Sequence, residues 1–145
     1  MKKITIYAIH SSKLNYKEEF YKPLLLSKRE EYDLILPLTE KYKKMYAKDL
    51  VEESDLIIIN LTDSTLSVFI ETKWAKKMNK KILFLIKEKG KCFLLLNKYK
   101  KISKKYSKPE ETIAIINDFI DSNLEEVASK DESGTINLGS LNLKN

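Results

Sequence analysis

The sequence predicts a single α/β domain in which a parallel sheet is covered by helices on both faces. Strand-like and helix-like segments alternate from end to end with short connections. Asp55–Leu61 contains a near-continuous Leu-Ile-Ile-Ile run, which is typical of a strand buried on both faces. A chain of 145 residues can build one such core. We expect a flavodoxin-like three-layer sandwich of four to five strands in the order 2-1-3-4-5.

The strands are predicted from short apolar or alternating runs. We expect them at Lys3–Ile9, Tyr32–Leu36, Asp55–Leu61 and Lys81–Lys87, with a possible fifth at Tyr99–Ser103. Cys92–Lys98 is too uniformly apolar for periodicity to decide between a helix and a strand.

The helices are predicted from capping residues and a period of 3.6. We expect them from Asn15 to about Arg29, from Thr39 to about Glu53, from Thr65 to about Asn79, and from the capping box at Ser107 to about Ser122. Pro23 lies past the first turn of the first helix, so it either kinks that helix or sets a later start.

The character of the chain changes after Asn123, so we expect the domain to occupy residues 1–123. Residues 124–145 hold two of the three glycines and little periodicity. They are predicted to form either a flexible tail or an arm that docks on a neighbouring subunit. The arm would use the apolar side chains Ile136, Leu138, Leu141 and Leu143.

Composition excludes several classes of protein. The net charge is +6, but the chain has a single arginine, Arg29, and nucleic-acid readers usually need arginine forks and stacking surfaces. A nucleic-acid partner is therefore not expected. No apolar run approaches the roughly 20 residues that span a membrane. The lone Cys92 excludes an intrachain disulfide and suits the cytoplasm.

No cofactor or metal site is expected. The sequence has neither a Walker loop nor a Gly-x-Gly-x-x-Gly motif, and one cysteine with one histidine cannot make an ordinary zinc site. Ligands of this fold bind at the carboxyl ends of the strands. The candidate substrate-binding residues at or near that edge are His10, Ser11, Pro37, Asp63, Ser67 and Trp74.

Glu71 is the most informative residue. Helical spacing places it on the same face as the apolar residues Val68, Trp74, Ala75 and Met78, opposite a polar face with Thr72 and several lysines. A carboxylate in an apolar stripe costs several kcal/mol unless something compensates it. Tyr7 and Asp49 are the candidate partners. A structural carboxylate paired with a lysine or capping the helix is the alternative.

Four stretches resemble the nucleoside 2-deoxyribosyltransferase superfamily, particularly its small uncharacterised members, over roughly residues 3 to 120. Ile4–Tyr7 resembles the first strand, whose tyrosine reaches the catalytic glutamate. Glu19–Leu24 with Leu34–Pro37 resembles the first helix and second strand. The third stretch is Lys48–Ile57, and the fourth is Ile70–Ala75 with Lys80–Ile82, which is similar to the Glu-x-Gly-x-Ala motif and the strand after it.

The resemblance implies an enzyme that cleaves N-glycosidic bonds of nucleosides or nucleotides, or transfers deoxyribosyl groups. Glu71 would be the nucleophile that forms a covalent glycosyl-enzyme intermediate. Tyr7 would orient it, and Asp49 would protonate or hold the leaving base. Relatives often complete each site with a neighbour, so a homodimer or larger homo-oligomer is implied.

Two other functions stay open. Ser67, Phe69 and Lys73 stand where the superfamily carries glycine, which favours an inactive module of the same fold that binds or senses a nucleotide. A TIR-like NAD hydrolase is the other alternative, because TIR domains also resemble flavodoxin-like folds with a glutamate in the equivalent helix.

Overall fold

The fold is a five-stranded, all-parallel sheet with the strand order 2-1-3-4-5, as the sequence predicts. A computed structural model describes residues 3–27 and 32–133, with side chains as far as Leu124. The strands are β1 Ile4–Ile9, β2 Tyr32–Ile35, β3 Leu56–Asn60, β4 Lys81–Lys87 and β5 Lys104–Tyr106. The α-helices are α1 Lys22–Leu26, α2 Ala47–Glu53, α3 Leu66–Lys77 and α4 Thr112–Ser133. This is a flavodoxin-like sandwich.

Alternate side chains of the strands build two cores, one on each face of the sheet. The first core contains Ile6, Ile58 and Leu85 and packs against the first helical segment and α4. The second contains Tyr7, Ile57 and Ile59 and packs against α2 and α3. All five residues of β3 are buried, which explains its continuous apolar run. Tyr7 therefore faces the layer that carries Glu71.

The first two helices are shorter than predicted. A π-helical turn at Lys17–Tyr21 leads into α1, where Pro23 occupies a first-turn position that needs no backbone donor. The predicted start of the second helix at Thr39 is wrong, because the Thr39 hydroxyl donates to the Leu36 carbonyl at 2.6 Å and closes a turn. Tyr46 is extended, so α2 begins only at Ala47.

The predicted strand at Tyr99–Ser103 is also wrong. Leu94–Ile102 forms a 3₁₀-helix, and β5 follows it. The Tyr99 ring stacks on the ring of Phe84 in β4. The ring centroids are 4.6 Å apart, and the ring planes make an angle of 11°. This packing holds the segment against the sheet.

The last helix extends beyond its expected end near Ser122, since α4 continues to Ser133. A 3₁₀ turn at Pro109–Glu111 precedes it, and the carboxylate of Glu111 accepts a 2.7 Å bond from the Ser107 amide. Ile136, Leu138, Leu141 and Leu143 lie outside the described residues. No helix in the described part of the chain has the length and apolarity that crossing a membrane requires.

Candidate active site

The site is centred on a contact between the middle of the sheet and α3. Tyr7 lies on β1, paired in register with Ile35 of β2 and Ile57 of β3. Its hydroxyl donates a 2.6 Å hydrogen bond to Oε1 of Glu71. The Tyr7 side chain is fully buried, and the Glu71 residue as a whole is half-buried.

Burial controls the protonation of both partners. It raises the pKa of Glu71, and the hydrogen bond from Tyr7 partly opposes that rise. Burial also raises the pKa of Tyr7, and the neighbouring Glu71 charge raises it further. The phenol therefore stays protonated and keeps donating. This leaves Oε2 of Glu71 without a protein hydrogen-bond donor among the described residues.

The two structural alternatives for Glu71, pairing with a lysine and capping the helix, do not match its surroundings. No lysine in the described ranges lies within the 4.0 Å ion-pair limit of its carboxylate. Glu71 is six residues past Thr65, the capping position of α3, so it does not cap that helix. The predicted polar face is also partly wrong, because Thr72 is fully buried and its hydroxyl donates to the Val68 carbonyl at 2.7 Å. Satisfying its hydroxyl within the helix allows threonine to be buried.

His10 follows β1 and lies in an aromatic cluster. Its Nε2 is 2.6 Å from the Tyr21 hydroxyl, and its Nδ1 is 3.0 Å from the Ser11 carbonyl. The ring stacks on Tyr16 at a centroid distance of 4.9 Å. Burial lowers the pKa of His10, which favours the neutral imidazole. Ser11 is also buried, and its hydroxyl accepts a 2.9 Å bond from the Lys13 amide.

Tyr21 is a residue that sequence reasoning missed. Its hydroxyl accepts a 3.1 Å bond from the Leu38 amide, which anchors the segment after half-buried Pro37 beside His10. Burial raises the pKa of Tyr21, and the Glu71 charge adds a smaller contribution in the same direction. The only sequence signal was its position in the Glu19–Leu24 stretch.

The other predicted site residues are more dispersed. Asp49 is exposed in the first turn of α2, and no hydrogen bond joins it to Tyr7 or Glu71 in the described structure. Trp74 is half-buried and meets Tyr46, just before α2, at a centroid distance of 6.0 Å. Ser67 is exposed in the first turn of α3. Asp63 has a φ of 52°, and its amide donates to the Lys91 carbonyl at 2.7 Å.

A solved structure shares this arrangement of strands and helices. The fold resembles that of a CMP N-glycosidase. That protein is BcmB from Clostridium botulinum, which superposes with a TM-score of 0.56 at 21% identity, covering 78% of this chain and 98% of the other. No family model matches the chain, and no curated protein sequence matches it either. At this identity the likeness shows the fold, and the roles of Glu71, Tyr7 and Asp49 stay predictions.

Asp55, which directly precedes β3, has a structural role. Its Oδ2 accepts a 2.8 Å bond from the Thr5 amide, and its own amide donates to the Thr5 carbonyl at 2.8 Å. The two bonds tie the start of β3 to β1. They set the register that brings Tyr7 under α3.

A second polar network, also missed, lies at the carboxyl ends of β3, β4 and β5. Glu19 pairs with Lys87 at 3.1 Å and accepts a 3.3 Å bond from the Tyr106 hydroxyl. The same hydroxyl accepts a 3.0 Å bond from the buried Asn60 amide group. The sequence feature that could have revealed this network is Asn60, a buried asparagine at the end of β3. The network fastens the first helical segment to the sheet.

Phe69 and Lys73, which replace expected glycines, do not crowd Glu71. Both line a separate cleft to which Glu71 does not contribute. The Phe69 ring packs against Phe93, with the ring centroids 6.1 Å apart. In the part of the chain that the structure describes, no three histidine, cysteine, aspartate or glutamate residues gather as a metal site would require.

Proposed function

We propose that the protein cleaves the N-glycosidic bond of a nucleoside or nucleotide, with Glu71 as the nucleophile. The observation that carries the proposal is the 2.6 Å hydrogen bond from Tyr7 to Glu71. It fixes the carboxylate of a half-buried residue on α3, the helix that starts from the carboxyl edge of a flavodoxin-like sheet, where this fold binds ligands. The resemblance of Ile70–Ala75 to the superfamily motif, and a fold neighbour that is a CMP N-glycosidase, support the same chemistry.

In the first step, Oε2 of ionised Glu71 attacks the anomeric carbon of the sugar. A C–O bond forms, the C–N bond breaks, and the base leaves with the bonding electron pair. Tyr7 holds the other oxygen, so one lone pair of the carboxylate is aimed while the phenol keeps its proton. The leaving base takes a proton from Asp49 or from water.

In the second step, water or a second base attacks the same anomeric carbon. The ester C–O bond breaks, and Glu71 leaves as the carboxylate that began the cycle. Two successive displacements at one carbon give net retention of configuration. Water gives hydrolysis and a free sugar, whereas a second base gives transfer. In the hydrolytic route, the proton lost by the attacking water returns to Asp49, or to the hydroxide left when water protonated the base, so the cycle closes.

We further propose that the substrate reaches Glu71 past His10, Ser11, Pro37 and Asp63. Exposed Lys13 and Lys89 beside this edge would attract a phosphorylated substrate. Lys87 contributes less, because Glu19 already neutralises it at 3.1 Å. The preferred substrate is therefore a nucleotide rather than an uncharged nucleoside.

A homo-oligomer is part of the proposal. Leu66, Ile70 and Trp74 follow one another at intervals of four on α3, and Trp74 meets exposed Tyr46. Exposed apolar side chains along one stripe support an interface between subunits. Light scattering should give at least a dimer, and Ile70→Glu should shift it toward the monomer. A monomeric wild-type protein at micromolar concentration would contradict this point.

The test is incubation with a panel of nucleosides, nucleotides and NAD, followed by chromatography for free base. We expect release of a nucleobase, lowered at least about 10³-fold in Glu71→Gln because the nucleophile is removed. The matched control is Glu110→Gln at an exposed glutamate, which should retain full activity. Nicotinamide release from NAD would instead identify a TIR-like hydrolase. Tight binding of an intact nucleotide without turnover would identify a binding module.

A further inference from the structure

A lysine-rich cleft lies between α3 and the 3₁₀-helix at Leu94–Ile102. Its volume is about 380 Å³, within the range of small-ligand sites. Seven residues line it: Phe69, Thr72, Lys73, Lys76, Lys77, Lys98 and Tyr99. Four of them are lysines and none is acidic. Glu71 is not among them, so this cleft is separate from the proposed catalytic site.

Within the described residues, the four lysines of the cleft form no ion pairs. In the described structure, none of these lysines has a carboxylate oxygen within the 4.0 Å ion-pair limit. Lys73 is three residues before Lys76 and four before Lys77 on α3, and like charges at these spacings repel one another and destabilise a helix. An anion in the cleft would relieve this repulsion.

The two aromatic rings of the cleft position its lysines. The Nζ atom of Lys73 lies 5.5 Å from the centroid of the Phe69 ring. The Nζ atoms of Lys76 and Lys98 lie 5.9 Å and 5.3 Å from the centroid of the Tyr99 ring. Such contacts hold an ammonium in place. One face of Tyr99 is already stacked on Phe84 at 4.6 Å. A nucleobase would have to displace that packing or the lysines, so the rings do not form a platform for base stacking.

We propose that this cleft binds an oligophosphate, either free or as the phosphate tail of a nucleotide. Lysine ammonium groups bind phosphate as point charges, and several of them suit a compact anion of several charges. The Thr72 hydroxyl is committed to the Val68 carbonyl, so the lysines supply the recognition. The shortage of free aromatic faces disfavours single-stranded nucleic acid, which is bound by stacking as well as by charge.

The test is titration calorimetry of the full chain with sodium triphosphate at about 0.1 M salt, where long-range charge effects are screened within about 10 Å. The cleft variant replaces Lys73, Lys76, Lys77 and Lys98 with glutamine. A matched control replaces the exposed Lys17, Lys44, Lys104 and Lys105, which lie outside the cleft, and removes the same charge. Circular dichroism checks that both variants are folded. A Lys→Arg version of the cleft variant retains its charge.

We expect triphosphate to bind the wild-type protein, the control and Glu71→Gln equally. The cleft glutamine variant should bind at least about tenfold more weakly, and the arginine version should recover most of the binding. Equal affinity for triphosphate and ATP would identify the oligophosphate alone as the ligand. Tighter ATP binding that is still lost in the cleft variant would identify a nucleotide tail.

Three outcomes would overturn the proposal. The first is no triphosphate binding to the wild-type protein, and the second is an equal loss in the control and cleft variants. The third is tighter binding of a single-stranded oligonucleotide than of triphosphate. Because triphosphate has no glycosidic bond and the test includes Glu71→Gln, its failure leaves the proposed glycosidase activity unaffected.

Discussion

The Tyr7 hydroxyl and Oε1 of Glu71 are 2.6 Å apart, although the two residues are separated by 64 positions in the sequence. The bond joins the buried centre of β1 to the first half of α3. It compensates a carboxylate that would otherwise be costly on an apolar helix face. Among the described residues, the other carboxylate oxygen accepts no hydrogen bond from the protein.

Tyr7→Phe tests the orienting role of the phenol. Loss of a hydrogen bond to a charged group typically costs about 1.5–3 kcal/mol, so kcat should fall about 10- to 100-fold. Because the Tyr7 bond lowers the pKa of Glu71, its removal should move the ascending limb of the pH–rate profile to higher pH. Tyr42→Phe, at a half-buried tyrosine on the α2 side, serves as the control. An unshifted limb in Tyr7→Phe would contradict the orienting role.

Glu71→Gln should stabilise the protein at neutral pH. Burial raises the folded-state pKa of Glu71 above its ordinary 4.5, so the native protein binds this proton more tightly than the unfolded chain does. The stability that depends on this proton is present below pH 4.5 and is lost as the pH rises through the folded pKa. Removing a strained functional charge commonly gains about 1 kcal/mol, or about 3 °C in Tm for a chain of this size. Thermal melts between pH 4 and 8 should show this gain growing with pH, and a gain independent of pH would count against it.

His10 should make the fold sensitive to mild acid. Burial lowers its pKa below 6.5, so the unfolded chain takes up a proton that the native state resists. Stability is therefore complete above pH 6.5 and falls as the pH drops through 6.5 toward the folded pKa. His10→Gln removes this loss. Urea unfolding at pH 5.5 and 7.5 measures the free energy of unfolding of Glu71→Gln and of the double variant Glu71→Gln/His10→Gln. Because neither variant has the Glu71 carboxylate, the comparison isolates the titration of His10. If the stability of both variants changes equally with pH, His10 is not the acid-sensitive group.

Glu19→Ala should destabilise the fold much more than Glu18→Ala. The Glu19 side chain is 14% exposed and binds both Lys87 and the Tyr106 hydroxyl. Its loss leaves these groups without their acceptor, at a cost of about 1–3 kcal/mol. Glu18 is 64% exposed, and its only ion pair in the described structure is the 3.9 Å contact with Lys22, so its replacement should change stability by less than about 1 kcal/mol. Urea denaturation measures both, and equal losses would show that the network does not stabilise the protein.

The central strands could be predicted from the sequence because their apolar pattern reflects burial on both faces. β4 has the expected bounds, and β3 is one residue shorter at each end. The 3₁₀-helix before β5 could not be predicted, because Cys92–Lys98 is too uniformly apolar for periodicity to separate a helix from a strand. The late start of α2 depends on a local bond between Thr39 and Leu36 that competes with capping.

The candidate site also contains residues that could be predicted from the sequence and residues that could not. Glu71 could be found because helical spacing places a carboxylate among apolar residues, and such a charge requires a partner. The cluster of His10 and Tyr21 could not, since their contact depends on a π-helical turn that the residue pattern does not indicate. Asp49 is predicted to be a partner of Glu71, but the structure places it exposed in the first turn of α2 with no hydrogen bond to Glu71 among the described residues.

The anchoring of Tyr7 within β1 has an evolutionary consequence. Hydrogen bonds to β2 and β3 hold this strand on both sides, so the donor keeps its place when the surrounding loops change. The segments after β1, β2 and β3 can then diverge through insertions and substitutions without disturbing the pair. In such a lineage, the tyrosine donor is inherited with the sheet, whereas the loops around it are replaced.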